Sequence, residues 1–339
     1  MASGDKPTSF DIAALAGVSQ PTVSRALRGD RTVSAATRLR IEAIARQLNY
    51  KVDKNASALR RGSTSTLALL FFEDPAPDGS RINPFFLSML GSILKTCALR
   101  GYDLLTSFQQ LSADWHKDYE DSRKADGLIL LGYGDFDAYS RRLDQLVAQG
   151  THFVRWGSAD PAHPGTVIGC NNFAGGRDAG EHLIGGGRRS IAFLGDASSH
   201  YPESRDRYRG LAQALRMADM PVDPGLQVDA LSSEASGYNA ARRLIARGIA
   251  FDAIFAASDD MAAGALAAAH RRGVKVPDAL AIAGFGDDPL AGYVWPPLTT
   301  MRQPVRDLAW NAADLLLSPE ESVEQRELPH TLMVRGSTG

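Results

Sequence analysis

Phe10-Asp-Ile-Ala-Ala-Leu-Ala-Gly-Val-Ser-Gln-Pro-Thr-Val-Ser-Arg-Ala-Leu27 decides how the first 62 residues fold. Just upstream, Thr8 and Asp11 have the Ser/Thr-x-x-acid spacing of a capping box, so a helix starts here. Ile12, Leu15 and Ala16 follow as an apolar stripe. Gly17 suits the left-handed residue that closes a helix, and Val18 supplies a core contact at the turn. Ser19 is placed to cap a second helix, whose first turn accommodates Pro21 without losing a needed hydrogen bond. Val23, Ala26 and Leu27 then face the first helix, while Gln20, Pro21, Ser24, Arg25 and Arg28 face outward. A third helix over 34–49 closes a small core with Leu39, Ile41, Ile44, Ala45 and Leu48. The expectation is an all-α helix-turn-helix headpiece.

The outward face has a chemistry of its own. An Arg fork reaches guanine O6 and N7 together, worth about 1–3 kcal/mol of base discrimination. Hydroxyls such as those of Thr22 and Ser24 suit phosphate oxygens, which position a helix rather than read sequence. Charge agrees. Residues 1–62 hold 11 Lys and Arg against 5 Asp and Glu, a net of +6, and the remainder holds 26 against 34, a net of −8. A basic head on an acidic body is the footprint of a nucleic-acid binder, concealed in the whole-chain value of −2.

Composition narrows the remaining classes. At 339 residues the chain can hold a 60-residue headpiece and a two-lobed body. It has no 18-residue apolar run and no apolar h-region behind Met1, so neither a membrane span nor a secretory signal is expected. Cys97 and Cys170 are too few for a disulfide framework and read as small hydrophobes in a reducing cytoplasm. The sequon Asn55-Ala-Ser57 carries no meaning in that compartment.

Beyond residue 63, strand-like runs at 67–72, 103–106, 127–131, 153–156, 190–194, 253–256 and 280–283 alternate with helical stretches at 85–100, 173–185, 207–218, 237–247 and 261–273. That rhythm predicts parallel sheets with helices on both faces, and ligands in such sheets bind beyond the carboxyl ends of strands. Gly185-Gly-Gly-Arg-Arg189 follows a helix rather than a strand and lacks a following Lys-Ser/Thr, so it is not a phosphate cradle. No Gly-x-Ser-x-Gly elbow and no metal-spaced His cluster stands near the Asp259-Asp260 and Asp287-Asp288 pairs. No catalytic residue, metal or cofactor is expected.

These motifs resemble the lactose/galactose repressor (LacI/GalR) family. Val18–Leu27 is similar to its recognition helix, Leu48-Asn-Tyr50 to the close of its headpiece, and Ala56-Ser-Ala-Leu59-Arg60 to its hinge helix. Further matches are Asn83-Pro-Phe-Phe86, Asp126-Gly-Leu-Ile-Leu130, Arg207-Tyr-Arg-Gly210, Ser258-Asp-Asp-Met-Ala-Ala-Gly264, Gly284-Phe-Gly-Asp-Asp288 and Pro297-Leu-Thr-Thr300, and the likeness runs to Val334-Arg-Gly-Ser-Thr338. The resemblance implies a headpiece over 1–52, a hinge helix and linker over 53–63, and a periplasmic-binding-protein-like α/β core over 64–339. Its first lobe takes 64–167 plus 296–325, its second 168–295 plus 326–339. Gln20, Pro21 and Arg25 are then base readers, and Ser19, Thr22 and Ser24 phosphate contacts. Leu59, with Arg60 beside it, wedges the minor groove, at a cost of a few kcal/mol for unstacking. The hinge segment is short and polar, so as a helix it is marginal alone.

The implied function is a regulator that binds a palindromic DNA operator as a homodimer, with a sugar or sugar acid between its lobes. The chain ends without a leucine heptad tail, which favours a dimer over a tetramer. Arg207 offers donors to hydroxyls or a carboxylate, Ser258, Asp259 and Asp287 line the cleft motif, and Phe85, Phe86 and Trp156 supply an aromatic wall. Each has a plainer alternative: Arg207 in a surface ion pair, Asp259 as a helix cap, the aromatics as core. Many sugar-binding members carry a ligand-contacting Asp where this chain has Gly286, so either Asp287 substitutes or the ligand differs. The aromatic that often precedes the Ser-Gly-Tyr helix start is also absent from Leu231-Ser-Ser-Glu-Ala-Ser-Gly237. Other readings left open are a regulator answering to a nucleoside, a solute-binding protein and a sugar-processing enzyme. Whether the ligand releases DNA or acts as a corepressor is not legible.

Overall fold

The computed structural model describes residues 7–50, 63–71, 82–108, 114–132, 135–158, 165–317 and 325–339. It divides at Thr64/Ser65 into two compact units. The expected hinge segment, with Leu59 and Arg60, lies outside the described residues.

The described residues of the first unit form three helices, α1 Ser9–Ala16, α2 Gln20–Leu27 and α3 Ala35–Gln47. The capping box forms: Thr8 Oγ1 accepts from Asp11 N, and Asp11 Oδ2 accepts from Thr8 N at 2.7 Å. Gly17 closes α1 at φ +63°. Ile12, Ala13, Ala16, Val23, Ala26, Val33, Ile41 and Ala45 form the core. Two expected core residues are not in it: Leu15 is 64% exposed and Leu39 is 63% exposed. At roughly 100° per residue, Leu15 falls about 110° from the centre of the arc set by Ile12, Ala13 and Ala16. Leu39 falls about 160° from Ile41, on the opposite face of α3. Ser19 does not cap α2 through its side chain; its hydroxyl pairs with that of Thr22 at 2.9 Å.

The second unit holds two six-stranded sheets. The first contains β1 Thr66–Phe71, β2 Asp103–Phe108, β3 Leu128–Leu131, β4 Phe153–Trp156, β5 Thr166–Cys170 and β11 Gln325–Leu328, in the order β11-β5-β4-β3-β1-β2, every pair parallel. The second contains β6 Ile191–Leu194, β7 Gln227–Val228, β8 Ala253–Ala256, β9 Ala281–Gly286, β10 Thr299–Arg302 and β12 Thr331–Met333, in the order β12-β10-β9-β8-β6-β7. Among the described strands of this sheet, only β12 runs antiparallel, against β10. Strands β3, β4, β6 and β8 are buried at every residue, as expected where helices cover both faces.

The α-helices among the described residues of this unit are α4 Pro84–Leu99, α5 Phe136–Ala148, α6 Asn172–Gly185, α7 Pro202–Met217, α8 Glu234–Ala246, α9 Asp259–Arg271, α10 Leu290–Tyr293 and α11 Val305–Leu317. Pairs α6/α7 and α8/α9 approach backbone to backbone. A Cβ on Gly176 would stand 2.1 Å from Arg207 O, and one on Gly264 would stand 2.1 Å from Glu234 O. Only glycine permits that approach, and it fixes where Arg207 and Asp259 sit.

The chain changes lobe between β5 and α6, between β10 and α11, and between β11 and β12. Residues 296–302, expected in the first lobe, therefore belong to the second. Thr299 to Arg302 pair in parallel with Ala283 to Gly286, which joins β10 to the second sheet. No helix among the described residues is long and apolar enough to cross a membrane.

Candidate functional site

The outer face of α2 carries the expected DNA contacts. Pro21, Arg25 and Arg28 are exposed, and Gln20, Thr22 and Ser24 are half-buried. Gln20 Nε2 donates to Ser9 Oγ at 3.0 Å, bracing the start of α2 on the start of α1. Arg25 Nε lies 3.4 Å from Pro21 O, and neither terminal nitrogen of its fork has a hydrogen-bond partner among the described residues.

In the second unit, the helix bearing Arg207 starts five residues before the sequence-based expectation, with Pro202 in its first turn. Arg207 therefore sits inside α7 and is 2% exposed, not a surface ion pair. Its Nε donates to Asn172 Oδ1 at 2.8 Å, its Nη1 to Ala257 O at 2.5 Å, and its guanidinium lies 3.8 Å above the Phe285 ring. Nη2 is buried and has no partner among the described residues. Asn172 Nδ2 reaches back to Ser158 Oγ at 3.0 Å, beyond β4 of the first lobe. Ser158 in turn donates to the second lobe, from N to Glu203 Oε1 at 2.9 Å and from Oγ to Asp206 Oδ2 at 3.3 Å. Asn172, Ser158, Glu203 and Asp206 carried no sequence signal, because they converge only when the two sheets face each other.

The remaining expected residues fare differently. Phe85, Phe86 and Trp156 do not form an open wall. They pack on one another with centroids 5.4–5.5 Å apart inside the core of the first lobe. Ser258, not Asp259, caps α9, accepting from Met261 N at 3.3 Å. Asp259 is wholly buried, its Oδ1 accepting from Thr300 Oγ1 at 2.6 Å and its Oδ2 from Asp288 N at 2.8 Å. Burial pushes its carboxyl up to about 6, against the pull of those two hydrogen bonds. Asp287 holds Arg302 Nε at 2.5 Å and Arg335 Nη2 at 2.6 Å, so both of its oxygens are engaged within the second lobe.

At another part of the seam, His200 of the second lobe grips the start of α5 twice. Its carbonyl accepts from Phe136 N at 2.8 Å, and its Nδ1 lies 2.7 Å from Asp135 Oδ1. The Asp135 carboxylate holds the imidazole above its ordinary pKa. Asn83 Nδ2, at the cap of α4, donates to Ser232 Oγ at 3.0 Å.

Residues 10–53 match the model of bacterial regulatory proteins of the lacI family, and residues 181–338 that of a periplasmic binding protein-like domain. The chain is 31% identical to the HTH-type transcriptional regulator DegA of Bacillus subtilis (strain 168), over 98% of this chain and 98% of that protein. It is 29% identical to the ribose operon repressor of Escherichia coli (strain K12), over 97% of this chain and 99% of that one. Among solved structures, a lac repressor dimer bound to operator and the anti-inducer ONPF superposes with a TM-score of 0.83 at 26% identity, covering 98% of this chain and 99% of that one. A complex of the transcriptional regulator CelR with cellobiose superposes with a TM-score of 0.72 at 29% identity, again over 98% and 99%. With a helix-turn-helix in front of two facing parallel sheets, and with this likeness over its whole length, the chain belongs to the LacI family of bacterial regulatory proteins.

Proposed function

We propose that this protein is a cytoplasmic, homodimeric repressor of carbohydrate-utilisation genes, released from or held on a palindromic operator by a sugar or sugar acid bound between its lobes. The observation that carries the effector half is Arg207: a buried guanidinium at the lobe junction with one nitrogen unsatisfied. A buried donor without a partner costs about 1–3 kcal/mol, and a ligand oxygen recovers it. The ribose operon repressor and the CelR–cellobiose complex support the sugar class. Gln20, Pro21 and Arg25 read bases, Ser19, Thr22 and Ser24 hold phosphates, and Leu59 and Arg60 enter the minor groove. A two-fold dimer places its recognition helices about 34 Å apart or a multiple of that, one turn of duplex. Coupling between sites is a difference in ligand affinity between two lobe arrangements, typically about 1–3 kcal/mol.

Fluorescence anisotropy on a palindromic duplex from upstream of the gene, titrated with sugars and sugar acids, tests the reading. One compound shifting operator affinity by at least about fivefold, the low end of that coupling, supports it. Indifference to every sugar, with a response to a purine, overturns the carbohydrate part.

A further inference from the structure

Gly286 ends β9 at φ +138°, a backbone that favours glycine, and leaves a space where a side chain would stand. A Cβ there would lie 3.4 Å from Asp259 Oδ2 and 3.5 Å from Asp288 Oδ2. Asp259 is fully occupied by Thr300 and by the Asp288 backbone. Asp288 is not: it is 7% exposed, yet its carboxyl has no hydrogen-bond partner among the described residues. Gln303 stands next to this space, its N directed to Gly286 O at 3.4 Å, and its buried Oε1 is also without a partner among the described residues. On the other side of β9, Phe285 carries the Arg207 guanidinium with its unsatisfied Nη2. The carboxyl end of one strand is thus flanked by two buried polar atoms without partners among the described residues and by a carboxyl that takes no hydrogen bond from them, where an α/β sheet binds ligands.

We propose that Asp288 is a specificity-determining residue of the effector site, its carboxyl reading a hydroxyl of a neutral sugar that lies across the carboxyl end of β9 and meets Arg207 at its other end. The inference rests on the sugar reading above and adds which end of the molecule must be uncharged. Asp288 faces Asp259 and Asp260 at the start of α9, and Asp287 beside it, while the cations Arg302 and Arg335 are committed to Asp287. A ligand carboxylate is repelled there. Burial, reinforced by those carboxylates, pushes Asp288 up to about 8, so near neutrality it carries its proton and donates. A sugar laid over Asp288 completes its burial, and burial costs the ionised carboxyl more than the protonated one. Neutral sugar therefore binds the protonated form better.

The test is isothermal titration of the full chain with D-ribose, D-galactose and cellobiose at pH 7 and pH 9, on wild type, Asp288→Asn and Asp288→Ala. A carboxyl titrating near 8 is about nine-tenths protonated at pH 7 and one-tenth at pH 9, so wild-type affinity falls about tenfold. Asp288→Asn, isosteric and neutral, binds at both pH values without that fall. Asp288→Ala loses at least about tenfold at pH 7, the value of one hydrogen bond to a buried polar group. Three results overturn the inference while leaving the sugar reading intact: Asp288→Ala within threefold of wild type, Asp288→Asn as weak as Asp288→Ala, or wild-type affinity rising with pH. If wild type binds no sugar, the sugar reading falls and takes the inference with it. The wild-type pH series and Asp288→Asn keep the test decisive even if Asp288→Ala folds poorly.

Discussion

Replacing Arg207 with Lys separates packing from recognition. The charge stays but the fork is lost, and a single ammonium can keep only one of two buried acceptors, Asn172 Oδ1 or Ala257 O. The other acceptor is left unsatisfied, costing about 1–3 kcal/mol. Loss of the 3.8 Å stack on Phe285 adds about 0.5–2 kcal/mol. Together these make a folding loss of about 1.5–5 kcal/mol, within the about 5–15 kcal/mol that folded domains hold. The effector loses a charge-assisted hydrogen bond to Nη2, about 1.5–3 kcal/mol, or about 10- to 150-fold in effector concentration. Urea unfolding reads the first quantity. The second is read from the ratio of operator Kd with and without effector, so changes common to both states cancel. If the variant is destabilised as stated but responds to effector within threefold of wild type, Arg207 only packs, and the effector assignment is refuted.

Arg25→Ala on the recognition helix is expected to cost about 1–3 kcal/mol on the cognate duplex and little on a scrambled one, measured by anisotropy at fixed salt. Equal losses on both duplexes would reduce Arg25 to a phosphate contact. Gly264→Ala sets a helix-propensity gain of about 1 kcal/mol against a Cβ placed 2.1 Å from Glu234 O and 2.5 Å from Tyr238 N, so packing wins and thermal stability falls. Gly185→Ala, with nothing within 4 Å of its Cβ, is expected to raise stability by up to about 1 kcal/mol in the same calorimetric comparison. For His200, the pKa raised by Asp135 means its stabilising pair is fully present below the ordinary imidazole pKa and is lost as pH rises through the raised one. His200→Gln should flatten that part of the stability–pH curve, and a curve superimposable on wild type would deny the contact between the lobes.

How much was legible depended on whether a feature is local. The headpiece was, because capping at Thr8, the left-handed Gly17 and the stripe of α2 are set by residues within a turn of one another. Leu15 and Leu39 misled because two arcs on an eight- or thirteen-residue helix satisfy the same spacing, and only the neighbouring helices choose between them. Buried strands such as Leu128–Leu131 were visible as apolar runs. Gln325–Leu328 and Thr331–Met333 were not, since edge strands of three or four residues are too short to show a period and are recruited by β5 and β10.

The sequence by itself determined a basic helix-turn-helix on an acidic body of alternating strands and helices, since caps, periodicity and charge are properties of neighbouring residues. Only the tertiary structure decided the site. Asp287 and Asp288 are chemically alike on paper. The fold spends one on Arg302 and Arg335 and leaves the other unsatisfied beside Gly286. Phe85, Phe86 and Trp156 went to the core, while Asn172 and Ser158 came to the cleft. Hydrogen bonds between residues far apart in the chain exist only once two sheets face each other, and no local pattern records them.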